Sequence, residues 1–268
     1  MGSAFEDQLF ALHRVWPSLL GLARGEGGSD VPDPQDCPLW ALYAPLARGH
    51  GLKQRDDDEP AARPFVIGQL GQSLDGRIAT STGKSRYIGC PEAIGHLHRI
   101  RALVDAVVVG VGTVIADDPQ LNVREAEGAS PARIVIDPNF RLPAHARMLG
   151  DGGRQIYAVQ ADDRARDHGV QAIAVEPRGG RLHPADIVAA LAARGFRRVL
   201  VEGGASTQSA FLAAGALDRF HLAIAPIVIG SGPIGINLPP IDELDEALRP
   251  AATAYQLGRD VLFDCRFG

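Results

Sequence analysis

The sequence predicts an α/β protein: a mixed, mostly parallel central sheet flanked by helices, with an N-terminal helical extension in front of it. Two observations predict this. From Pro64 onward, short β-rich apolar runs alternate with segments of helical periodicity, the pattern of strands joined by crossover helices. The C-terminal stretches Phe220–Ile229 and Val261–Phe267 are β-rich and suit antiparallel strands added at the sheet edge.

The elements follow in order. Phe5, Leu9, Leu12, Trp16 and Leu19 fall at helical spacing and predict a helix over Phe5–Ala23, which Pro17 is expected to kink or break. Gly25–Asp36 reads as a turn-rich linker, and a short second helix covers Leu39–Ala47. Gln54–Arg63 is charged and contains proline, so the main boundary is placed there. Residues 1–60 are then a helical extension with linkers, and 64–268 the main domain. Candidate strands are Phe65–Leu70, Ala106–Val109, Arg133–Ile136, Gln155–Val159, Ala172–Val175, Arg198–Val201, Phe220–Ala225 and Val261–Arg266. Between them, Pro91–Val104 carries Ile94, Leu97, Ile100 and Val104 on one stripe. Pro184–Arg194 starts with proline and is followed by Gly195, and Ala205–Ala214 makes a further helix.

Composition narrows the function. The chain has 268 residues, a net charge of −5, 46% hydrophobic and 22% charged residues, which excludes a wholly disordered chain and disfavours a nucleic-acid partner. A phosphorylated small molecule remains open, because local arginines can hold a phosphate against a mildly negative whole. Cys37, Cys90 and Cys265 are far apart with no CxxC spacing, so neither a disulfide framework nor a cysteine-rich zinc site is expected, and a cytoplasmic setting is. No run reaches the roughly 18 apolar residues of a membrane span. Glu6 and Asp7 stand where a secretory signal is basic, and Glu6 breaks the myristoylation pattern after Gly2.

Several motifs can carry chemistry. Gly110-Val-Gly112-Thr113 follows an apolar strand, where glycines let a ligand approach the backbone; a plain strand-to-helix turn explains them equally well. Ile115 stands where the dinucleotide fingerprint needs its third glycine. Glu202-Gly203-Gly204-Ala205-Ser206-Thr207 ends a strand and opens a helix, which makes either a pyrophosphate cradle of free N–H groups or an ordinary helix cap. Leu74-Asp75-Gly76-Arg77 reads as a β-turn, and Asp117-Asp118-Pro119 through Arg124 as a solvated loop. His96 and His98, two apart on a helix, do not face one another and are expected as surface or partly packed side chains; no metal site is expected. No nucleophile-elbow sequence is present.

The order of these motifs says more than any one. SLDGRIATSTGKSRYI, HRIRALVDAVVVGVGTVIADDPQLNVR, RIVID, VLVEGGASTQSAFL and APIVIG, over about Pro64 to Gly268, resemble the reductase domain of riboflavin biosynthesis. The resemblance implies a dihydrofolate-reductase-like fold. It implies NADPH-dependent reduction of the ribosyl chain of 5-amino-6-(5-phosphoribosylamino)uracil to ribityl, by hydride transfer to C1′ once ring opening has made that carbon electrophilic. It carries substrate contacts over to Ser85, Arg101, Leu121, Arg124 and Glu202, with the serine and arginines suited to the 5′-phosphate. It places Gly71, Tyr87, Thr113 and Asp117 along the nicotinamide cofactor, and Gly203, Gly204, Ala205 and Ser206 around its pyrophosphate. Asp117 is also the candidate that polarises or protonates the sugar, the alternative being a purely cofactor-binding carboxylate. Arg141 is a candidate partner for a 2′-phosphate.

The bifunctional relatives carry a zinc deaminase with H-x-E and P-C-x-x-C; neither motif is present, so the chain is expected to be a reductase alone. Asn122 stands where the family often has threonine, and Tyr87 where it often has tryptophan. Alternative substrates are a diaminopyrimidinone phosphate met before deamination, or a pterin- or flavin-like compound of a specialised pathway. A reading of another class is a catalytically silent nucleotide-binding protein. A homodimer is expected, and residues 1–60 are open to roles as dimer arm, lid or docking helix.

Overall fold

A computed structural model describes residues 2–26, 37–49, 63–150 and 155–267. Most of both expected linkers and the side chains of residues 2–6 lie outside the described parts, as does Gly268. The order is α1 (Gly2–Ala23), α2 (Pro38–Arg48), β1 (Phe65–Ser73), α3 (Pro91–Leu103), β2 (Ala106–Gly110), α4 (Val111–Asp117), β3 (Ala132–Ile136) and β4 (Ile156–Gln160). It continues with β5 (Val170–Ala174), α5 (Pro184–Ala193), β6 (Arg198–Glu202), α6 (Ala205–Ala213), β7 (Arg219–Ala225), β8 (Ala251–Leu257) and β9 (Asp260–Arg266). Proline opens α2, α3 and α5, a position with no helical N–H bond to lose.

The nine strands form one sheet in the order β5-β4-β3-β2-β6-β1-β7-β9-β8. Neighbours run parallel except around β9, which is antiparallel to both β7 and β8. The mixed, mostly parallel sheet is therefore as the sequence predicts, with one correction at its edge. β7 pairs parallel with β1 on its inner side, so the antiparallel part begins only at β9. α6 between β6 and β7 is a crossover, and a crossover returns the chain parallel. β8 was not foreseen. Its sequence, AATAYQL, is mostly exposed at the outer edge and shows no apolar face to pattern.

Alternation along the strands builds two cores. Phe65 and Ile67 of β1, Val107 and Val109 of β2 and Leu200 of β6 face α1 to α4. Val66, Val108, Val199 and Val201 face the opposite way, against Phe211 of α6 and Val188 and Leu191 of α5. Each such fully buried side chain stabilises the fold by about 1.5–3 kcal/mol.

The N-terminal helices belong to the first of these cores. Leu12, Trp16 and Leu19 of α1 and Leu42, Tyr43 and Leu46 of α2 are all buried in it. α1 runs unbroken through Pro17, because tertiary packing of its apolar side outweighs one missing backbone bond. The Trp16 indole N–H also donates to the Glu127 carbonyl at 3.0 Å.

Beneath α2 lies a buried polar chain. Tyr43 Oη is 2.7 Å from His96 Nδ1, and His96 Nε2 is 3.1 Å from His221 Nδ1. His221 Nε2 faces Asp264 Oδ1 at 3.3 Å, and Arg219 Nη2 donates to Asp264 Oδ2 at 2.7 Å. A carboxylate only accepts, so His221 turns its Nε2–H toward Asp264. His221 Nδ1 then accepts from His96 Nε2–H, and His96 Nδ1 accepts from the Tyr43 hydroxyl. Burial holds both histidines neutral, driving the His96 pKa well below its ordinary value and lowering that of His221, and it pushes the Tyr43 hydroxyl up to about 12. The expectation of surface or partly packed histidines is thus corrected: His96 and His98 are both buried. Their partners come from elements far away in the chain, which spacing within one helix does not reveal.

Candidate active site

β2 and β6 are parallel neighbours, with Ala106 opposite Val199 and Val108 opposite Val201. The helices that follow them part to opposite faces: α4 buries Val111 and Val114 in one core, and α6 buries Phe211 and Leu212 in the other. A crevice opens beyond the strand ends wherever successive helices diverge in this way, and it is the usual ligand site of such sheets.

The turns at this point are closely interlocked. Thr113 Oγ1 accepts from the Gly204 N–H at 3.0 Å. Gly203 has φ +118°, and a Cβ there would lie 2.9 Å from Thr113 Oγ1. A Cβ on Gly110 would lie 2.6 Å from Thr207 Oγ1. The glycines are required where the two turns touch. Ala205 and Ser206 keep first-turn N–H groups without a partner among the described residues, and Gly71 has open space where a Cβ would stand. These groups fit an extended phosphate-bearing cofactor laid across the crevice.

A cleft of about 360 Å³ gathers eight of the residues assigned from the sequence: Gly71, Ser85, Thr113, Asp117, Leu121, Glu202, Gly203 and Gly204. Ser85 Oγ donates to Asp117 Oδ1 at 3.4 Å. Asp117 ends α4, whose cap Asp118 is left-handed and accepts the Arg147 N–H at 2.8 Å. Tyr87 is 83% exposed with φ +68°, and it stands off the cleft wall. Ala205 and Ser206 follow the Gly203–Gly204 turn in the first turn of α6, and Arg124 lies outside the cleft lining, three residues after Leu121 on the loop that follows α4.

Arg101 and Glu202, assigned separately from the sequence, form one ion pair. Arg101 Nε and Nη2 donate to the two carboxylate oxygens at 2.9 and 2.5 Å, with both side chains largely buried. Arg101 Nη1 also donates to the Asn122 carbonyl at 2.9 Å. The guanidinium thus fixes a cleft carboxylate and the backbone of the neighbouring loop together.

Asp75 explains the SLDGR segment. Its carboxylate accepts from Ser73 Oγ, Ile229 N and Gly230 N at 2.6, 3.0 and 2.6 Å. These bonds, led by that from Ser73, hold its pKa down at about 2. The β-turn reading stands, with Gly76 at φ +77°, and the turn fastens the loop after β7 to the end of β1. Sequence reasoning missed Gln69, Leu97 and Pro119 on the cleft wall. Leu97 was visible on the stripe of its helix, while Gln69 gave no signal beyond its place at a strand's C-terminal end.

The fold and this cleft define an α/β protein with a candidate cofactor-binding cleft where the sheet's helices diverge. The model of the RibD C-terminal domain matches residues 64–263, and the chain belongs to that family. A 2,5-diamino-6-ribosylamino-4(3H)-pyrimidinone 5′-phosphate reductase of Methanothermobacter thermautotrophicus is 32% identical over 211 residues, covering 75% of this chain and 97% of that protein. The reductase of the same name from Archaeoglobus fulgidus is 34% identical over 183 residues, 63% of this chain and 83% of that protein. The solved structure of Acinetobacter baumannii RibD, form 1, superposes with a TM-score of 0.68 at 27% identity, covering 85% of this chain and 62% of that one. No helix among the described residues is long and apolar enough to cross a membrane.

Proposed function

We propose that this protein reduces the ribosyl group of a phosphorylated aminopyrimidine to ribityl with NADPH, in riboflavin biosynthesis, acting as a cytoplasmic homodimer. The supporting observation is the cleft itself, where the Gly203–Gly204 turn, Thr113, Asp117 and Glu202 meet beside open space at Gly71. When bound, NADPH supplies the hydride. The protein's part is to hold both reactants in register and move a proton.

In this reading the N–H groups of Ala205 and Ser206 hold the pyrophosphate, and Thr113 keeps the turn in shape through Gly204. Arg141, whose backbone N–H is tied to Asp137 while its side chain has no partner among the described residues, meets the 2′-phosphate. Glu202, held at both oxygens by Arg101, accepts N–H groups of the pyrimidine. Ser85 and Arg124 take the 5′-phosphate. Asp117, exposed at the cleft and bonded by Ser85, delivers a proton to the sugar.

Two substrates fit this description and differ at position 2 of the ring: 5-amino-6-(5-phosphoribosylamino)uracil, and the 2,5-diamino compound. The second is favoured by the names of the two archaeal relatives. Following NADPH absorbance with each substrate tests the reading. Turnover with one or both is expected, and binding of NADPH without turnover of either would show a silent nucleotide-binding protein instead.

A further inference from the structure

α3 sends two side chains, one turn apart, into the loop that follows α4. Arg101 reaches the Asn122 carbonyl, and His98 Nδ1 accepts the Arg124 backbone N–H at 3.2 Å. The loop has neither helix nor strand from Leu121 to Arg124, and Leu121 itself is left-handed at φ +57°. The loop is also tied by Val123 N to Ser130 Oγ at 3.0 Å and by Arg124 Nη1 to Asn122 Oδ1 at 3.1 Å, and Arg124 Nε lies 3.9 Å from Glu125 Oε1. Arg124 therefore has its backbone set by His98 and its side chain set by Asn122, while about half of that side chain stays exposed.

We propose that His98 is a positioning residue for substrate binding: its Nδ1 fixes the backbone at Arg124 and so sets where the Arg124 guanidinium meets the substrate phosphate. The inference rests on the phosphate role of Arg124 given above and adds a residue with no assigned part in it. His98 is buried and does not line the cleft. It acts through a single acceptor atom, which requires the tautomer with the proton on Nε2. Burial, and then the charges of Arg101 and Arg124, hold its pKa down at about 4, so that atom stays an acceptor at neutral pH. A protonated ring would set N–H against N–H and push the loop away.

The role separates from mere packing because it depends on an acceptor and not on volume. His98→Leu keeps the bulk and removes the acceptor. His98→Asn restores an acceptor oxygen where Nδ1 lies. Steady-state kinetics on both, and on Arg124→Ala, use the phosphorylated aminopyrimidine, its dephosphorylated form and NADPH, with melting temperature measured in parallel. His98→Leu is expected to raise KM for the phosphorylated substrate about tenfold, equal to about 1.4 kcal/mol. KM for NADPH and for the dephosphorylated form should hold, and His98→Asn should recover most of the loss. If Arg124→Ala raises KM while His98→Leu does not, or if His98→Asn is as impaired as His98→Leu, the positioning role is overturned and the phosphate reading survives. If Arg124→Ala leaves KM unchanged, the phosphate reading falls and this inference falls with it.

Discussion

Replacing Asp264 by asparagine tests the buried chain beneath α2. The carboxylate is 2% exposed and lies 2.7 Å from an Arg219 guanidinium that is 6% exposed. Asparagine keeps the shape and removes the charge, so Arg219 is left buried beside a neutral amide. Breaking a buried pair from one side costs about 3–5 kcal/mol, a large part of the ~5–15 kcal/mol that holds a typical protein folded. For a chain of this length each kcal/mol moves Tm by roughly 2–4 °C, so a drop of about 6–20 °C is expected for the ion-pair loss alone. The companion variant Arg219→Met/Asp264→Leu removes both charges and should regain most of the loss, because no lone charge remains buried. Thermal and urea unfolding of the wild type, the single and the double variant supply the measurements. A single variant within 1 kcal/mol of wild type, or a double variant as unstable as the single, would refute the reasoning. NADPH binding should hold in both, since none of these residues lines the cleft.

Three further outcomes are expected. Because His96, His98 and His221 have folded pKa values below their unfolded ~6.5, stability should be flat above that pH and fall as pH drops from there toward about 4, by up to about 1.4 kcal/mol per pH unit for each histidine. Asp75, near 2, contributes its own loss only below the ordinary carboxylate range, so a Tm that stays level from pH 7 to pH 5 would contradict the histidine account. Gly203→Ala puts a Cβ 2.9 Å from Thr113 Oγ1 at φ +118°; NADPH titration should show affinity weakened at least about tenfold, and wild-type affinity would remove the turn from the cofactor site. Arg101→Ala leaves Glu202 without its partner, so melting temperature and substrate affinity should fall together, by about 3–5 kcal/mol in stability, whereas a change in KM at constant Tm would show an arginine serving the phosphate alone.

How far the sequence reaches depends on the range of the interaction. β1, β2, β3 and β6 were legible because strands buried on both faces carry near-continuous runs of Val, Ile and Leu, a local signal. β8 was not, because a strand paired on one side and exposed elsewhere needs no apolar pattern. Most of the cleft's assigned residues came from the order of the motifs, and their convergence follows from β2 and β6 being neighbours. The ion pair of Arg101 with Glu202 spans 101 positions, and the contact of His96 with His221 spans 125. Nothing local in either segment announces such partners, so the same residues read as a phosphate ligand and as ordinary histidines.

α3 is held from behind by α1 and α2 and presents Arg101 and His98 on the side of the cleft loop. A shortened chain beginning at Pro64, where the family match begins, would keep every residue of the cleft wall yet strip the shield from α3. The core face now covered by Leu12, Trp16, Leu19, Trp40, Leu42 and Leu46 would meet water, and His96 would lose the Tyr43 hydroxyl. Exposed apolar area of that kind drives self-association. Such a shortened chain is therefore expected to self-associate more than the full chain does, because the covering of one helix is contributed by residues well before the first strand.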